Sequence, residues 1–225
     1  MTHPIRSFLR AVLNWACVVG LLVSLGQAHA QSVTHPNLNA QLLVAARQSD
    51  LEQVKRLLEQ GAVADSRNRL GKTALIIASE QGNIGMAASL LAAGADVNIQ
   101  SVERVTALMA ASYSGNADMV RLLLAAGART DPVDRMNKPA VVYAAGQGNA
   151  AVLEALLAAG VDVNATYDHK LTLLMWSAGQ GHAAAVRLLL ARGARTDSRD
   201  DRGLTALDIA SEAGKGDVAR SAGLQ

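Results

Sequence analysis

The first candidate for chemistry in this chain is a glycine-rich stretch. Residues 146–151 read G-Q-G-N-A-A, which fits the G-x-G-x-x-G/A pattern of a turn that holds the pyrophosphate of a dinucleotide. An apolar run, residues 140–145, precedes the glycines, and Asp168 lies 20 residues beyond Gly148. Such a turn places the carboxylate that binds the ribose at about this distance. The pattern raises the hypothesis of an enzyme that binds NAD.

The surrounding sequence argues against this cofactor site. The stretch recurs 33 residues later as G-Q-G-H-A-A, residues 179–184. The equivalent turns upstream read E-Q-G at residues 80–82 and Y-S-G at residues 113–115, so they lack the first glycine. The apolar run before the glycines also has helical rather than strand spacing. We therefore predict no bound cofactor, and the 33-residue period becomes the main signal.

Other residues that could catalyse a reaction or hold a metal are sparse. Cys17 is the single cysteine, and beyond residue 30 the histidines are His35, His169 and His182. A nucleophile would have to be a serine, threonine or lysine beside a base. Asp168 and His169 are two adjacent metal ligands without a second pair. We predict that the protein is not an enzyme, has no catalytic or metal site and takes no small-molecule substrate.

The first thirty residues have the pattern of an export signal. Two arginines precede an apolar run at residues 11–25, and residues 28–30 (A-H-A) form a small-x-small cleavage site. We predict cleavage after Ala30, with residues 31–36 as a leader, and location in a bacterial periplasm, with secretion as the alternative. The apolar run is shorter than the roughly 20 residues of a membrane-spanning helix, so a membrane anchor would require an uncleaved signal.

Cleavage would change both the charge and the redox chemistry of the chain. The signal segment carries two of the 21 lysines and arginines, none of the 19 aspartates and glutamates, and Cys17. The remainder would be neutral overall and free of cysteine. It would lack the positive field that favours nucleic acid, and it could not form a disulfide.

A 33-residue repeat organises the rest of the chain. When the units are aligned on this period, one position, or column, holds threonine or proline, a second holds serine or glycine, and a third holds glycine. The units follow one another with no insertion. Such regularity indicates one supersecondary unit copied along the chain. The columns are Thr73, Thr106, Pro139, Thr172 and Thr205; Ser49, Gly82, Gly115, Gly148, Gly181 and Gly214; and Gly61, Gly94, Gly127, Gly160 and Gly193.

Each unit predicts two short helices joined by a turn. In residues 73–83, T-A-L-I-I-A-S-E-Q-G-N, Thr73 is the expected N-cap. Leu75, Ala78 and Ser79 are spaced so that they share one face of a helix. Beyond the Gly-Asn turn, a second apolar stripe begins at Met86 and stops at the third glycine column, since glycine commonly ends a helix. A polar connector leads to the next unit.

These motifs resemble the ankyrin repeat: T-A-L-x-x-A at Thr73, Thr106 and Thr205, then G-N or G-H, L-L, and G-A-D-V-N at residues 94–98. The resemblance implies an all-α ankyrin-repeat solenoid of stacked helix-turn-helix units. Projecting hairpin fingers and first helices would form a concave face for protein partners. About six units are expected, at residues 37–67 (N-terminal cap), 68–100, 101–133, 134–166, 167–199 and 200–225 (truncated C-terminal cap).

The sequence departs from the family tetrapeptide T-P-L-H at the start of the first helix. The histidine is absent, so the family's hydrogen bond between threonine and histidine cannot form. Its position holds Ile76, Met109, Val142, Met175 and Asp208. In the fourth unit Pro139 replaces the threonine and removes a side-chain cap worth about 1 kcal/mol. We predict that this unit is the least stable part of the stack.

The concave face implied by the resemblance supplies the candidate partner-binding residues. Their mixed charges, few apolar side chains and single tyrosine suit a protein surface better than a phosphate backbone. We therefore predict a protein partner and no nucleic acid. The candidates are Arg69, Leu70, Lys72, Glu80, Gln81, Val102, Glu103, Val105, Tyr113, Ser114, Arg135, Met136, Lys138, Gln147, Asp168, His169, Leu171 and Gln180.

Two aromatic residues of the first helices allow two interpretations. Tyr143 and Trp176 share a repeat position, one turn before Gln147 and Gln180. Aromatic side chains at helical spacing usually pack in a core. Alternatively, they form the floor of the groove, with Trp176 as an anchor for a partner.

The sequence as a whole predicts a monomeric, non-catalytic module that binds another protein and acts as a scaffold, adaptor or modulator. The alternative is a stress-protective accessory factor for an exported enzyme or for the cell envelope, held at the membrane if the signal is retained.

Overall fold

Short helices in pairs make up the structure, a computed structural model that describes residues 36–224. Each pair is joined by a tight turn, and a longer connector leads to the next pair. The helices are α1 (Pro36–Arg47), α2 (Leu51–Glu59), α3 (Ala74–Gln81), α4 (Ile84–Ala92), α5 (Ala107–Ser114), α6 (Ala117–Ala125), α7 (Ala140–Gln147), α8 (Ala150–Ala158), α9 (Leu173–Gly179), α10 (Ala183–Ala191), α11 (Ala206–Glu212) and α12 (Gly216–Ser221).

The helices form two layers. The first helices of the pairs, α1, α3, α5, α7, α9 and α11, each pack on the next in the series, and the second helices do the same. Each first helix also packs on the second helix of its own pair. Between residues 36 and 224, β-structure is limited to two isolated bridges, Arg67 with Thr73 and Thr166 with Thr172. The predicted all-α solenoid is confirmed.

Threonine side chains start four of the first helices, as the sequence predicts. Thr73 Oγ1 accepts a hydrogen bond from Ile76 N at 3.3 Å. The hydroxyls of Thr106, Thr172 and Thr205 each accept a bond from the backbone N–H of the residue three positions later. Pro139, at the start of α7, makes no side-chain cap. In the last unit Asp208 occupies the position of the missing histidine and accepts a hydrogen bond from the Thr205 hydroxyl at 2.8 Å.

The first helices are buried on more than the single face that the spacing of Leu75, Ala78 and Ser79 predicts. In α3, all six residues from 74 to 79 are buried. The predicted face of Leu75, Ala78 and Ser79 is buried, and the neighbouring residues are buried too because each inner first helix is enclosed by neighbours on both sides and by its own second helix. The small side chains of Ala74, Ala78 and Ser79 allow this close approach.

The glycine-rich stretch at residues 146–151 is a helix-to-helix turn. Gly146 lies within α7, and Gly148 ends that helix with a φ of 72°, a conformation that favours glycine. A Cβ on Gly148 would lie 2.5 Å from Cγ of His182. His182 Nε2 in turn lies 2.9 Å from the Gly146 carbonyl oxygen. The run that would have to be the strand of a dinucleotide site is helix α7.

The connectors carry five-residue turns that we call fingers. Hydrogen bonds from one finger to the next link most of them: Val102 N donates to Leu70 O at 2.9 Å, Arg135 N to Glu103 O at 3.2 Å, and Asp201 N to His169 O at 3.1 Å. Fingers 3 and 4 have no such backbone bond among the described residues. The fingers are finger 1 (68–72), finger 2 (101–105), finger 3 (134–138), finger 4 (167–171) and finger 5 (200–204).

No helix within residues 36–224 is both long and apolar enough to span a bilayer. The predicted export signal and leader lie outside the described residues, and Ala30 with them.

Candidate partner-binding surface

The fingers and the C-terminal ends of the first helices form one face of the stack, which we call the finger face. It carries the residues that the sequence predicts for partner binding. None of them is buried. Lys72, Val105, Lys138 and Leu171 are half-buried, and the others are exposed. The prediction that they contact a partner stays a prediction, and the structure shows which neighbours each of them has.

An apolar pit lies at the middle of the finger face. Its volume is about 630 Å³. Tyr113 is 59% exposed and Met136 is 58% exposed, which is unusual for large apolar side chains that lie next to each other. Lys72, Glu80 and Ser114 lie at its edge. The apolar pit consists of Val105, Met109, Ala110, Tyr113, Met136 and Tyr143.

Tyr143 belongs both to the core and to the pit. Its ring meets that of Tyr113 edge to face, with centroids 5.8 Å apart, and its hydroxyl donates to the Asp134 carboxylate. Asp134 is 3% exposed, and its other oxygen accepts the N–H groups of Met136 and Lys138 at 2.8 and 2.9 Å. Burial, and then the bond to Asp134, raise the pKa of Tyr143. One carboxylate thus joins finger 3 to α7.

Trp176 packs against the core beside the pit. It is half-buried, and the Lys138 ammonium lies 4.8 Å from the centroid of its ring, within range of a cation–π interaction. Its indole Nε1 is buried without a hydrogen-bond partner among the described residues. The two aromatic residues therefore pack on the core, and Tyr143 also lines the pit. The interpretation of Trp176 as an anchor for a partner stays a prediction.

Several candidates are occupied by contacts within the chain. Lys72 pairs with Glu80 at 2.6 Å, and Arg135 with Glu103 at 3.5 Å. The Gln81 amide donates to the Arg47 carbonyl at 3.0 Å and accepts from the Ser49 hydroxyl at 2.9 Å. Gln81 therefore holds the first two helix pairs together, which leaves less of its amide for a partner.

An arginine cleft at finger 1 contains the predicted Arg69 together with Arg47 and Arg67, which the sequence did not identify. This cleft of about 490 Å³ is lined by Arg47, Arg67 and Arg69, with no carboxylate among its lining residues. Arg47 lies 33 residues before Glu80 and 66 before Tyr113, so the repeat register could have identified it. The start of the first helix is hard to place in this unit, because the unit lacks the threonine that marks it in the later ones.

Finger 4 places its candidates in a different setting. His169 Nδ1 lies 3.7 Å from Asp201, and Lys170 Nζ lies 3.5 Å from the same carboxylate. A cleft of about 690 Å³ separates this finger from finger 3, with Asn137 and Asp168 among its lining residues. The part of the chain that the structure describes has no group of three or more His, Cys, Asp and Glu residues that could hold a metal.

A family model matches the sequence, and a solved structure is similar in fold. A family model described as ankyrin repeats (3 copies) matches residues 9–101, 42–139, 90–167 and 141–221. Among solved structures, the crystal structure of EF0377, an ankyrin repeat protein, is similar with a TM-score of 0.73 and 28% sequence identity. That match covers 81% of this chain and 96% of the other. No curated protein matches the sequence.

Proposed function

Because the chain belongs to the ankyrin-repeat family, whose repeats are generic protein–protein interaction modules, we propose that it binds one partner protein through the finger face. It acts as a scaffold, adaptor or modulator and has no turnover of its own. The apolar pit is the centre of the contact, and the fingers on either side of it set the orientation of the partner.

The distribution of exposed apolar side chains carries this proposal. Eight large apolar side chains of residues 36–224 are exposed, and five of them lie on the finger face. An apolar surface concentrated on one side of a protein commonly marks an interaction site, and aromatic and methionine side chains are enriched at such sites. The five are Val44, Leu70, Val102, Tyr113 and Met136.

The finger face is also held in place before any partner arrives. Fingers 1, 2 and 3 are linked by backbone hydrogen bonds, and Asp134 joins finger 3 to α7. A surface that is already ordered loses little conformational entropy on binding. The pit therefore suits a stable contact made by a small number of side chains.

Site-specific photo-cross-linking in the native host tests this function. A photoreactive residue at position 113 or 136 should form an adduct with one protein, which mass spectrometry can identify. The matched control is the same residue at Ile84, which is 37% exposed on the second-helix layer. No adduct from either pit position, or the same adduct from Ile84, would exclude the finger face as the contact.

We propose further that the chain works in a bacterial periplasm, or outside the cell, as a monomer. The support for this location is the sequence pattern of residues 1–30. Cell fractionation with mass spectrometry of the N-terminus should find a soluble form that begins at Gln31. A full-length form in the membrane fraction would show instead that the signal is retained as an anchor. Sedimentation of the purified protein gives its oligomeric state.

A further inference from the structure

We infer that the partner presents an acidic segment with one large apolar side chain, which enters the apolar pit while its carboxylates face the cations of the arginine cleft and Lys138. The inference rests on the proposed function and names the chemistry of the partner at that same face.

Four cations of this face, in contrast to Lys72 and Arg135, lack a carboxylate partner within the described residues. The arginine cleft holds Arg47, Arg67 and Arg69, and no carboxylate of residues 36–224 lies within 4.0 Å of any of them. Lys138, beyond the pit, contacts the Trp176 ring instead of an acid. Cations therefore lie on both sides of the pit without a counter-charge.

The carboxylates of the same region are already engaged. Glu80 pairs with Lys72, and Glu103 pairs with Arg135. Asp134 is buried and accepts hydrogen bonds from finger 3 and from Tyr143. The charge that remains for a partner is therefore positive, although the chain beyond residue 30 has equal numbers of acidic and basic residues. Complementary charge steers association and sets the register of a complex.

The apolar pit distinguishes a protein segment from other anions. A phosphate backbone would use the cations and leave Tyr113 and Met136 exposed to water. An apolar side chain that filled the pit would bury both, and burial of apolar surface is the main favourable term in association. Residues 1–35 contain no aspartate or glutamate, so the chain's own N-terminal segment does not have the required chemistry.

The test is a selection from a random peptide library displayed on phage, with the chain as purified from cells as the immobilised target. We expect the selected peptides to carry several aspartates or glutamates around a leucine, phenylalanine or tryptophan. The affinity of the best synthetic peptide should fall about tenfold in the double variant Arg69→Glu with Lys138→Glu, and the difference should shrink as salt rises.

Matched variants separate charge from folding. Arg187→Glu reverses an exposed cation of α10 on the second-helix layer, so it should leave the affinity unchanged. Circular dichroism should give the same helical signal for all variants. Met136→Ala should weaken binding of the same peptide, because it removes one wall of the pit.

Several results would overturn the inference. These are selection of basic or uncharged peptides, no selection at all, equal affinity in the charge-reversed variant, and dimerisation of the chain through Tyr113. Binding to phosphatidylglycerol vesicles that the reversal abolishes would assign the cations to lipid instead. If cross-linking from position 113 captures a protein while the selected peptides are not acidic, only this inference fails and the proposed function stands.

Discussion

Fingers 3 and 4 occupy equivalent places in successive repeats, yet finger 3 is bonded to finger 2 and to α7, while finger 4 is bonded to finger 5 instead. In finger 3, Asp134 accepts two backbone N–H groups and the Tyr143 hydroxyl, and Arg135 N bonds to finger 2. Finger 4 has Tyr167 at the position of Asp134 and no backbone bond to finger 3. The identity of one turn residue thus decides whether a carboxylate joins the finger to the first helix of its unit.

The physical reason is the length of the side chain, which decides whether its oxygen can accept a hydrogen bond from the N–H groups of the turn. A short carboxylate, amide or hydroxyl reaches the N–H groups of its own turn, as Asn68, Ser101 and Asp200 also do. A phenol is too long, and Tyr167 packs against the core instead. Burial, and then the nearby Asp162 carboxylate, raise its pKa to about 12.

Finger 4, which lacks this side-chain acceptor, also differs from the other fingers in its backbone. His169 and Lys170 both adopt a left-handed conformation with a φ of 57°, which costs roughly 1–2 kcal/mol for a residue other than glycine. Fingers 1, 2, 3 and 5 each have one residue of this kind, and in fingers 1 and 5 it is glycine. The backbone strain of finger 4 is therefore local, and substitutions can test it.

Removing the carboxylate of finger 3 should have the largest effect. Asp134→Ala leaves two turn N–H groups and the Tyr143 hydroxyl without their acceptor, and should lower the free energy of unfolding by about 3 kcal/mol. Urea denaturation followed by circular dichroism measures it. The control Asp168→Ala, at an exposed position of finger 4, should change stability by less than about 0.5 kcal/mol. Equal losses in the two variants would contradict the difference between the fingers.

A helix cap should strengthen the unit that contains finger 3. Pro139→Thr supplies the side-chain acceptor that α7 lacks, and should raise the free energy of unfolding by about 1 kcal/mol. In a protein of this size that shift is about 2–4 °C in Tm, measured by a thermal scan. Thr106→Ala, which removes an existing cap, should lower Tm by a similar amount. A lower Tm for Pro139→Thr would show that this start is not a weak point.

A glycine in finger 4 should relieve the strain of its backbone. Lys170→Gly places the residue that fingers 1 and 5 have at this position, and should gain about 0.5–1 kcal/mol. It also removes the exposed contact between Lys170 and Asp201, which is worth little at the surface. Lys170→Ala is the control, since it loses the same contact but keeps the strained φ. Equal stability of the two variants would argue against strain in this finger.

The last unit should give the smallest effect, and it depends on pH. Backbone and then side-chain hydrogen bonds from Thr205 lower the pKa of Asp208 from 3.8. A carboxyl with a lowered pKa stabilises the fold above its unfolded pKa, and this stabilisation is lost as pH falls through the folded value. Asp208→Asn should therefore be less stable than the natural chain at pH 7, and the difference should narrow as pH falls below 3.8. A difference that stays constant as pH falls would show that charge is not involved.

The tertiary contacts of several predicted residues could not be found from the sequence. The sequence places Gln81 and Gln147 at one repeat position with Ser114 and Gln180. In the structure both side chains are exposed, but the Gln81 amide bonds to the end of α1, while Gln147 makes no such bond to the preceding pair among the described residues. The difference arises because Gln81 meets Ser49 and the end of α1 in the preceding pair, where the repeat pattern changes. A column of similar residues does not specify such a local neighbour.

The sequence by itself determined the period, the helix pairs and the caps, because these depend on residues within one turn of each other. Gly148 can adopt a positive φ because it has no side chain. Thr73 can accept the Ile76 N–H because that group lies in the next turn of the chain. Neither depends on contacts with other repeats. Only the tertiary structure decided that Asp134 reaches Tyr143, that Arg47, Arg67 and Arg69 line one cleft, and that fingers 3 and 4 are not bonded. These features depend on distances between repeats, which a shared period leaves open.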